Sequence, residues 1–566
     1  MNEKMCSLKI KSFINNPYFL ILIIYCFCHF FMLFLTGSFW DDITYETHDS
    51  ERFFNIAMMT GRPEWFYLLR FAWSFPHNTY RFLVFLMYGF QAIMFYRILL
   101  VTQAFGEKDS LWISLIYITV PVNDARLLLS DFSYCVGLTF FILAVYCYIC
   151  YKNTSAKKDS RFIKRIGIQI LFLFSFCLNS LLFFYYLIFL YDFIKKNNII
   201  IRNNSFSYKN FFLVIFDVII LNIDFILLPF CFFIAKSILF PVYGIYAGYN
   251  TLSMNCIINA ALKSFLLIPH ISLETLYNYR RLFSPIILFS MVVLLLIVFG
   301  SFDDILEKKK TQGIHPSKMI VLSIFMIYMA IFPYVAVGRY NINTSGISGR
   351  DSILIPVGIA FLIYSVLTQV LFKRIRNVFF VLFVLLGVAH FNWWYLEYQT
   401  DYYYQLAFER KVDLAYIREH QNFIVINNNP TMICGDRFYT WSNIARRAFG
   451  SENHFFMNGI HDLKYLNSDF LSKRSPVLLD GIREINPQYI NLDGIISFES
   501  RISKKKALKL KIKELFFKDK FQINISRIGV LKVISLDFNK SNTIMSAYTN
   551  RRIRTNQELL NMATHN

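Results

Sequence analysis

Long apolar runs alternate with short clusters of charge along most of this chain. The runs Pro17 to Thr36, Tyr80 to Val101, Tyr134 to Tyr151, Met319 to Val337, Ile353 to Phe372 and Val378 to Tyr395 are each roughly 18–22 residues, the length at which a helix crosses the hydrocarbon of a bilayer. Lys4, Lys9 and Lys11 precede the first run, and no small-residue cleavage site follows it, so it reads as a retained helix with a cytoplasmic N-terminus.

The basic clusters order the remaining crossings. Lys152, Lys157, Lys158, Arg161, Lys164 and Arg165 mark one cytoplasmic loop, and Lys195, Lys196, Arg202 and Lys209 mark the next. Both ends of Ile166 to Ile194 are therefore inside, which predicts two short helices turning at Asn179 and Ser180. Leu111 to Val122 reads as a crossing followed by a polar break with Asp124, Arg126 and Asp131. Phe211 to Ala235 reads as one helix, with Asp217 and Asp224 on a shared face. Ile257 to Tyr279 reads as an interfacial helix on the outside. Pro285 to Phe299 re-enters toward Lys308, Lys309 and Lys310, and Trp393, Trp394 and Tyr395 form an interfacial belt closing the last span. The expectation is an all-α polytopic membrane protein of about 11 helices. The helical domain spans residues 1–396 and carries an extracytoplasmic loop, 38–79.

Beyond Tyr395 the periodicity changes. Asn422 to Asn427, Tyr489 to Ile496 and Ile528 to Leu536 read as strands, and Tyr439 to Phe449 as a helix, so residues 397–546 are expected to form a small extracytoplasmic α/β domain. Lys504 to Lys520, interleaved with Leu508, Leu510, Ile512, Leu515 and Phe516, reads either as a basic amphipathic helix on anionic lipid or as a solvated charged face. Residues 547–566 read as a disordered tail.

Composition supports this picture. Hydrophobic residues make up 56% of the 566, more than a soluble domain can bury. The net charge of +21 is accounted for by basic cytoplasmic loops and gives no reason to invoke nucleic acid. Nearly all of the ten cysteines lie in apolar runs, and the CxxC of Cys147 and Cys150 has no second pair or nearby His to make a metal site. No phosphate-cradling glycine loop, HExxH or GxSxG is present.

Two outer loops hold candidate chemistry. The first opens with Phe39, Trp40, Asp41 and Asp42, followed by Glu46, His48 and Arg62. Adjacent carboxylates at a membrane surface suit a base that takes a proton from a hydroxyl, and also suit an ordinary polar loop. In the second, Arg339 and Arg350 bracket Tyr340 and the Ser348–Gly349 pair. Planar guanidinium groups at this depth fit a lipid phosphate, or they snorkel from helix ends.

One helix, an outer loop opening on paired acids, many further spans and an extracytoplasmic tail together resemble the bacterial type-C membrane glycosyltransferases. Phe332-Pro333-Tyr334-Val335-Ala336-Val337-Gly338-Arg339, Gly349-Arg350-Asp351-Ser352 and Leu354-Ile355-Pro356 are similar to the paired late helices of that superfamily, and Phe240-Pro241 through Asn250 has the same character. The resemblance implies a donor of polyprenyl-phosphate sugar and a catalytic acid at Asp41 or Asp42. Glu46, His48, Arg62, Arg339, Tyr340 and Arg350 would surround the substrate. It implies no cofactor, although a divalent metal is compatible with it. The acceptor would be an extracytoplasmic glycan such as O-antigen, and the location the bacterial inner membrane. An O-antigen polymerase or ligase and a lipid-linked-glycan flippase or other transporter are the competing readings.

Overall fold

The computed structural model describes residues 16–39, 42–43, 50–154, 158–201, 208–248, 254–279, 316–420, 422–427, 438–449, 455–459, 492–500, 502–537, 539–541, 543–544 and 555–564. They are mostly helical and form two compact units. The first comprises Met1–Phe34, Thr60–Val242 and Ala247–Trp393; the second comprises Leu35–Met59, Tyr243–Tyr246 and Trp394–Asn566.

The first unit is a helical bundle. Among the described residues, six helical segments are long and apolar enough to cross a membrane: Pro17–Phe34, Thr79–Val101, Leu129–Asn153, Met254–Asn278, Pro316–Ala336 and Ile375–Val412, the last running on into the second unit. A bent pair, Leu213–Leu221 with Ile223–Leu239, makes a seventh if it counts as one span. Leu227, Phe230, Ile234, Ile238, Leu262 and Leu266 are exposed on these helices, a surface that only lipid solvates well. The chain is thus a membrane-associated protein.

Several expected spans take a different form. Leu111 to Val122 is replaced by the helix Glu107–Thr119, whose 13 residues rise about 20 Å, too short for a bilayer; nine of them are fully buried, so it is a core helix. Ile257 to Tyr279, expected to be interfacial, lies almost wholly in the helix Met254–Asn278, whose 25 residues have the length and hydropathy of a span. Phe211 to Ala235 is broken at Asn222 with a bend of 62°, so Asp217 and Asp224 sit on different helices rather than on one face. The last helix does not close at Tyr395 but runs from Lys373 to Val412, leaving Trp394 and Tyr395 buried. The expected turn at Asn179 and Ser180 is present, between Lys158–Ser175 and Leu181–Phe184, with Tyr185 packed back on Phe172 and Phe176. Pro285 to Phe299 lies outside the described residues.

Two glycines set how closely these helices approach. A Cβ on Gly358, in the helix Ile355–Val370, would meet the Ile327 backbone nitrogen of Pro316–Ala336 at 2.9 Å. A Cβ on Gly387 would collide with the Thr119 carbonyl. Small residues at such crossings allow backbone-to-backbone packing in an apolar medium.

The second unit contains a four-stranded sheet of order β2-β1-β3-β4: β1 Asn422–Asn427, β2 Phe455–Asn458, β3 Gly494–Glu499 and β4 Val530–Ser535. β1 is parallel to β2 and β3, while β4 is antiparallel to β3. Helix Phe438–Phe449 connects β1 to β2, as a parallel crossover requires. The core joins Tyr403, Tyr404 and Phe408 of the long helix to Trp441, Phe456 and Phe498, all fully buried. Ile43, just beyond the first span, belongs to the same core.

Candidate functional site

The polar break after the Glu107–Thr119 helix is a buried, tightly folded loop. Asn123 takes a left-handed conformation (φ 64°), a state Asn tolerates better than most side chains, and short 3₁₀ turns follow at Asp124–Leu127 and Leu129–Asp131. The Asn123 N–H donates to the Thr344 carbonyl at 3.0 Å, tying this loop to the arginine-bearing loop 337–352. The N–H of Gly346 donates to Oδ2 of Asp124 at 3.2 Å, and the N–H of Thr344 donates to the Glu274 carboxylate at 3.2 Å. Asn278 donates to the Thr344 hydroxyl at 2.9 Å and the Pro121 carbonyl at 3.2 Å.

At the centre lies a couple that no local spacing announces. His390 Nε2 is 3.1 Å from Asp124 Oδ1, His390 Nδ1 is 3.1 Å from the Asn278 carbonyl oxygen, and both side chains are fully buried. A carbonyl can only accept, so Nδ1 must carry hydrogen. The second contact then holds a further proton, either on Nε2 or on the carboxyl.

Beside this couple, Arg126 packs its guanidinium 4.3 Å from the Phe391 ring centre and 5.2 Å from that of Tyr88. It donates to the carbonyls of Val122 (2.7 Å) and Asn123 (2.9 Å), and Nη1 lies 3.3 Å from His29 Nε2. The same His29 nitrogen lies 3.4 Å from the Ile118 carbonyl, so it faces one donor and one acceptor. Tyr25, His29, Tyr88, Tyr117, Asn123 and Arg126 line a cavity of about 30 Å³, room for about one water.

The residues nominated from the sequence are distributed as follows. Asp41, Glu46 and His48 lie outside the described residues. Asp42 is in the second unit, only 1% exposed, with its N–H donating to the Phe39 carbonyl at 3.1 Å. It follows Gly37, whose φ of 91° and contact with the Tyr402 ring admit no side chain. The other nominated residues are in the first unit. Arg339 forms an ion pair with Asp351, one nitrogen lying 3.0 and 3.2 Å from the two carboxylate oxygens. Lys263 stands 3.9 Å over the ring of exposed Tyr340, and Arg350 is half-buried on the same loop. Arg62 is 3.4 Å from Glu64 and donates to the Cys177 carbonyl at 3.0 Å. Lys236 reaches that same Glu64 at 3.5 Å.

A second buried polar group occupies the helix break at Asn222. Lys152 pairs with Asp192 at 3.0 Å and donates to Asn222 Oδ1 at 2.7 Å. Tyr148 donates to Asp192 at 2.7 Å, and the Asn222 amide donates to Asp192 at 3.0 Å. Asp224, just past the break, is held instead by Arg165 and by Gln169 at 2.6 Å.

Sequence reasoning noted Asp124 and Arg126 as a polar break but missed His390, His29, Glu274 and Asn278 as their partners. Among the described residues no group of three or more His, Cys, Asp or Glu side chains is arranged to hold a metal ion. Comparison of the chain with family models, with curated proteins and with solved structures gives no match.

Proposed function

We propose that this protein is a membrane glycosyltransferase that moves a sugar from a polyprenyl-phosphate carrier to an extracytoplasmic glycan, O-antigen or a related surface polysaccharide, at the bacterial inner membrane. The observation that supports this reading most is the fixing of loop 337–352. Asp124, Asn123, Glu274 and Asn278 hold its backbone and the Thr344 hydroxyl, so Arg339 and Arg350 are carried on a pre-organised segment. A lipid phosphate that gains charge as the sugar departs needs cations that do not reorganise during the step. Asp41 or Asp42 would accept the hydroxyl proton as that oxygen bonds to the anomeric carbon and the bond to phosphate oxygen breaks.

The test is the surface-glycan profile of host cells carrying the wild-type protein, Asp42→Asn, Asp41→Asn, Arg350→Ala or no copy, read by mass spectrometry for sugar composition and chain length together. Loss of one sugar decoration in the null strain and in one Asn variant made at normal level supports the transfer reading. Shortened polymer points to an O-antigen polymerase or ligase, and wild-type behaviour of both Asn variants removes Asp41 and Asp42 from the chemistry.

One observation favours a second reading, a lipid-linked-glycan flippase. The helix bent by 62° at Asn222, with buried Asp192 paired to partly exposed Lys152 at the break, is the kind of interrupted helix that lines transport paths. Accumulation of completed lipid-linked sugar on the cytoplasmic face of the null strain would select it.

A further inference from the structure

We propose that the helices Lys504–Phe516 and Lys518–Ser526 of the second unit form a docking surface for the anionic headgroup layer of a phospholipid bilayer. This rests on membrane association and on the surface itself, and does not depend on the transferase reading. The first helix buries Ala507, Leu510 and Lys511 against its own unit. Lys504 is anchored to Glu397 at 2.8 Å, and Lys511 to Glu514 at 3.0 Å. That orientation turns Lys505, Lys509, Ile512 and Phe516 outward along one stripe, at spacings of four, three and four residues.

The outward surface combines two properties that a solvated charged face does not. Phe516 is 73% exposed, and Ile512, Leu515, Phe517 and Ile523 are each about half exposed. In the second unit these five and Val530 make up all the large exposed apolar side chains among the described residues, apart from Tyr243 and Leu414. Around them stand lysines: between Lys504 and Arg527 the sequence has nine basic residues against two acidic ones, Glu514 and Asp519. Lys520 stacks over the Phe517 ring at 5.3 Å. Apolar tips ringed by cations match the layered chemistry of an anionic interface. Rings and aliphatic tips enter the acyl boundary while ammonium groups remain among the phosphates. A protein partner of opposite charge would satisfy the lysines, but it would not need so many apolar tips outside a groove.

The test uses the full chain in lipid nanodiscs. Phe516→p-benzoylphenylalanine is irradiated in discs of phosphatidylcholine alone or of an equal mixture with phosphatidylglycerol, and adducts are identified by mass spectrometry. Lipid adducts are expected to be at least about fivefold more abundant in anionic discs and to fall with salt. Lys505→Glu with Lys509→Glu should remove that preference. Deuterium exchange of the unsubstituted protein gives an independent readout, with amides of 515–518 slowing in anionic discs. Equal adduct yield in both bilayers, adducts to a second protein chain in place of lipid, or exchange unchanged by lipid charge while the β-sheet amides stay protected would each overturn the proposal.

Discussion

His390 and Asp124 are 266 residues apart in sequence, yet the imidazole Nε2 and the carboxylate Oδ1 meet at 3.1 Å with neither side chain reaching solvent. Breaking such a buried hydrogen-bonded pair from one side leaves the other group's polar atom without its partner, at a cost of about 1–3 kcal/mol, whereas replacing both by apolar side chains costs far less. His390→Leu should therefore lower the thermal midpoint of the purified protein sharply, and Asp124→Leu with His390→Leu should recover most of the loss. A double variant as unstable as the sum of the two single variants would show that the couple is not a coupled pair.

At Gly358 the constraint is steric rather than electrostatic. Gly358→Ala is expected to destabilise the bundle by about 1–3 kcal/mol, because the Ile327 backbone cannot yield as a flexible side chain would. Gly387→Ala meets the Thr119 carbonyl in the same way. Gly167, with open space where its Cβ would be, is the matched control, and Gly167→Ala should leave the detergent-solubilised melting curve unchanged or slightly raised.

The Asn222 break predicts an asymmetry within one network. Tyr148→Phe removes one hydrogen bond to Asp192 and is expected to cost about 1 kcal/mol. Lys152→Met leaves Asp192 buried without its cation and is expected to cost about 3 kcal/mol or more. Chemical unfolding in detergent should rank the two in that order; a reversed order would mean that Lys152 is effectively solvated.

In the second unit, Trp441 sits fully buried, its ring against Phe408 and its indole N–H donating to Asn458 at 3.1 Å. Trp441→Ala should cost about 3–5 kcal/mol, and amide exchange along β1 and β2 should rise before that of the transmembrane helices.

Five of the six long apolar helices were legible because hydropathy and length are local properties, and the same holds for the Asn422–Asn427 strand and the Phe438–Phe449 helix. Met254–Asn278 was read as interfacial, Ile353 to Phe372 holds only the 16-residue helix Ile355–Val370, and the described residues do not reach the expected count of about 11 spans. The Glu107–Thr119 helix was misread because an apolar run of this length has the same composition whether protein or lipid surrounds it. Asp217 and Asp224 were placed on one face by a spacing argument that assumes a continuous helix, and Asn222 interrupts it. The central layer was hidden for a different reason. His390 lies in an apolar run with no acidic residue three or four positions away on its own helix, and its two partners, Asp124 in a 3₁₀ turn and Asn278 at a helix end, are far away in sequence. Only the assembled bundle shows that a polar break, a helix end and a lone histidine form one network.

That network has a consequence for biogenesis. The segment bearing Asp124 leaves the ribosome 266 residues ahead of His390, an interval of roughly 15–50 s at ordinary rates of synthesis. During that time the carboxylate has no imidazole to meet, so the Asn123–Asp131 loop must wait in contact with water or with the insertion machinery. The bundle can therefore seal only after its last long helix arrives, and a nascent chain truncated before His390 should stay accessible to aqueous probes at Asp124.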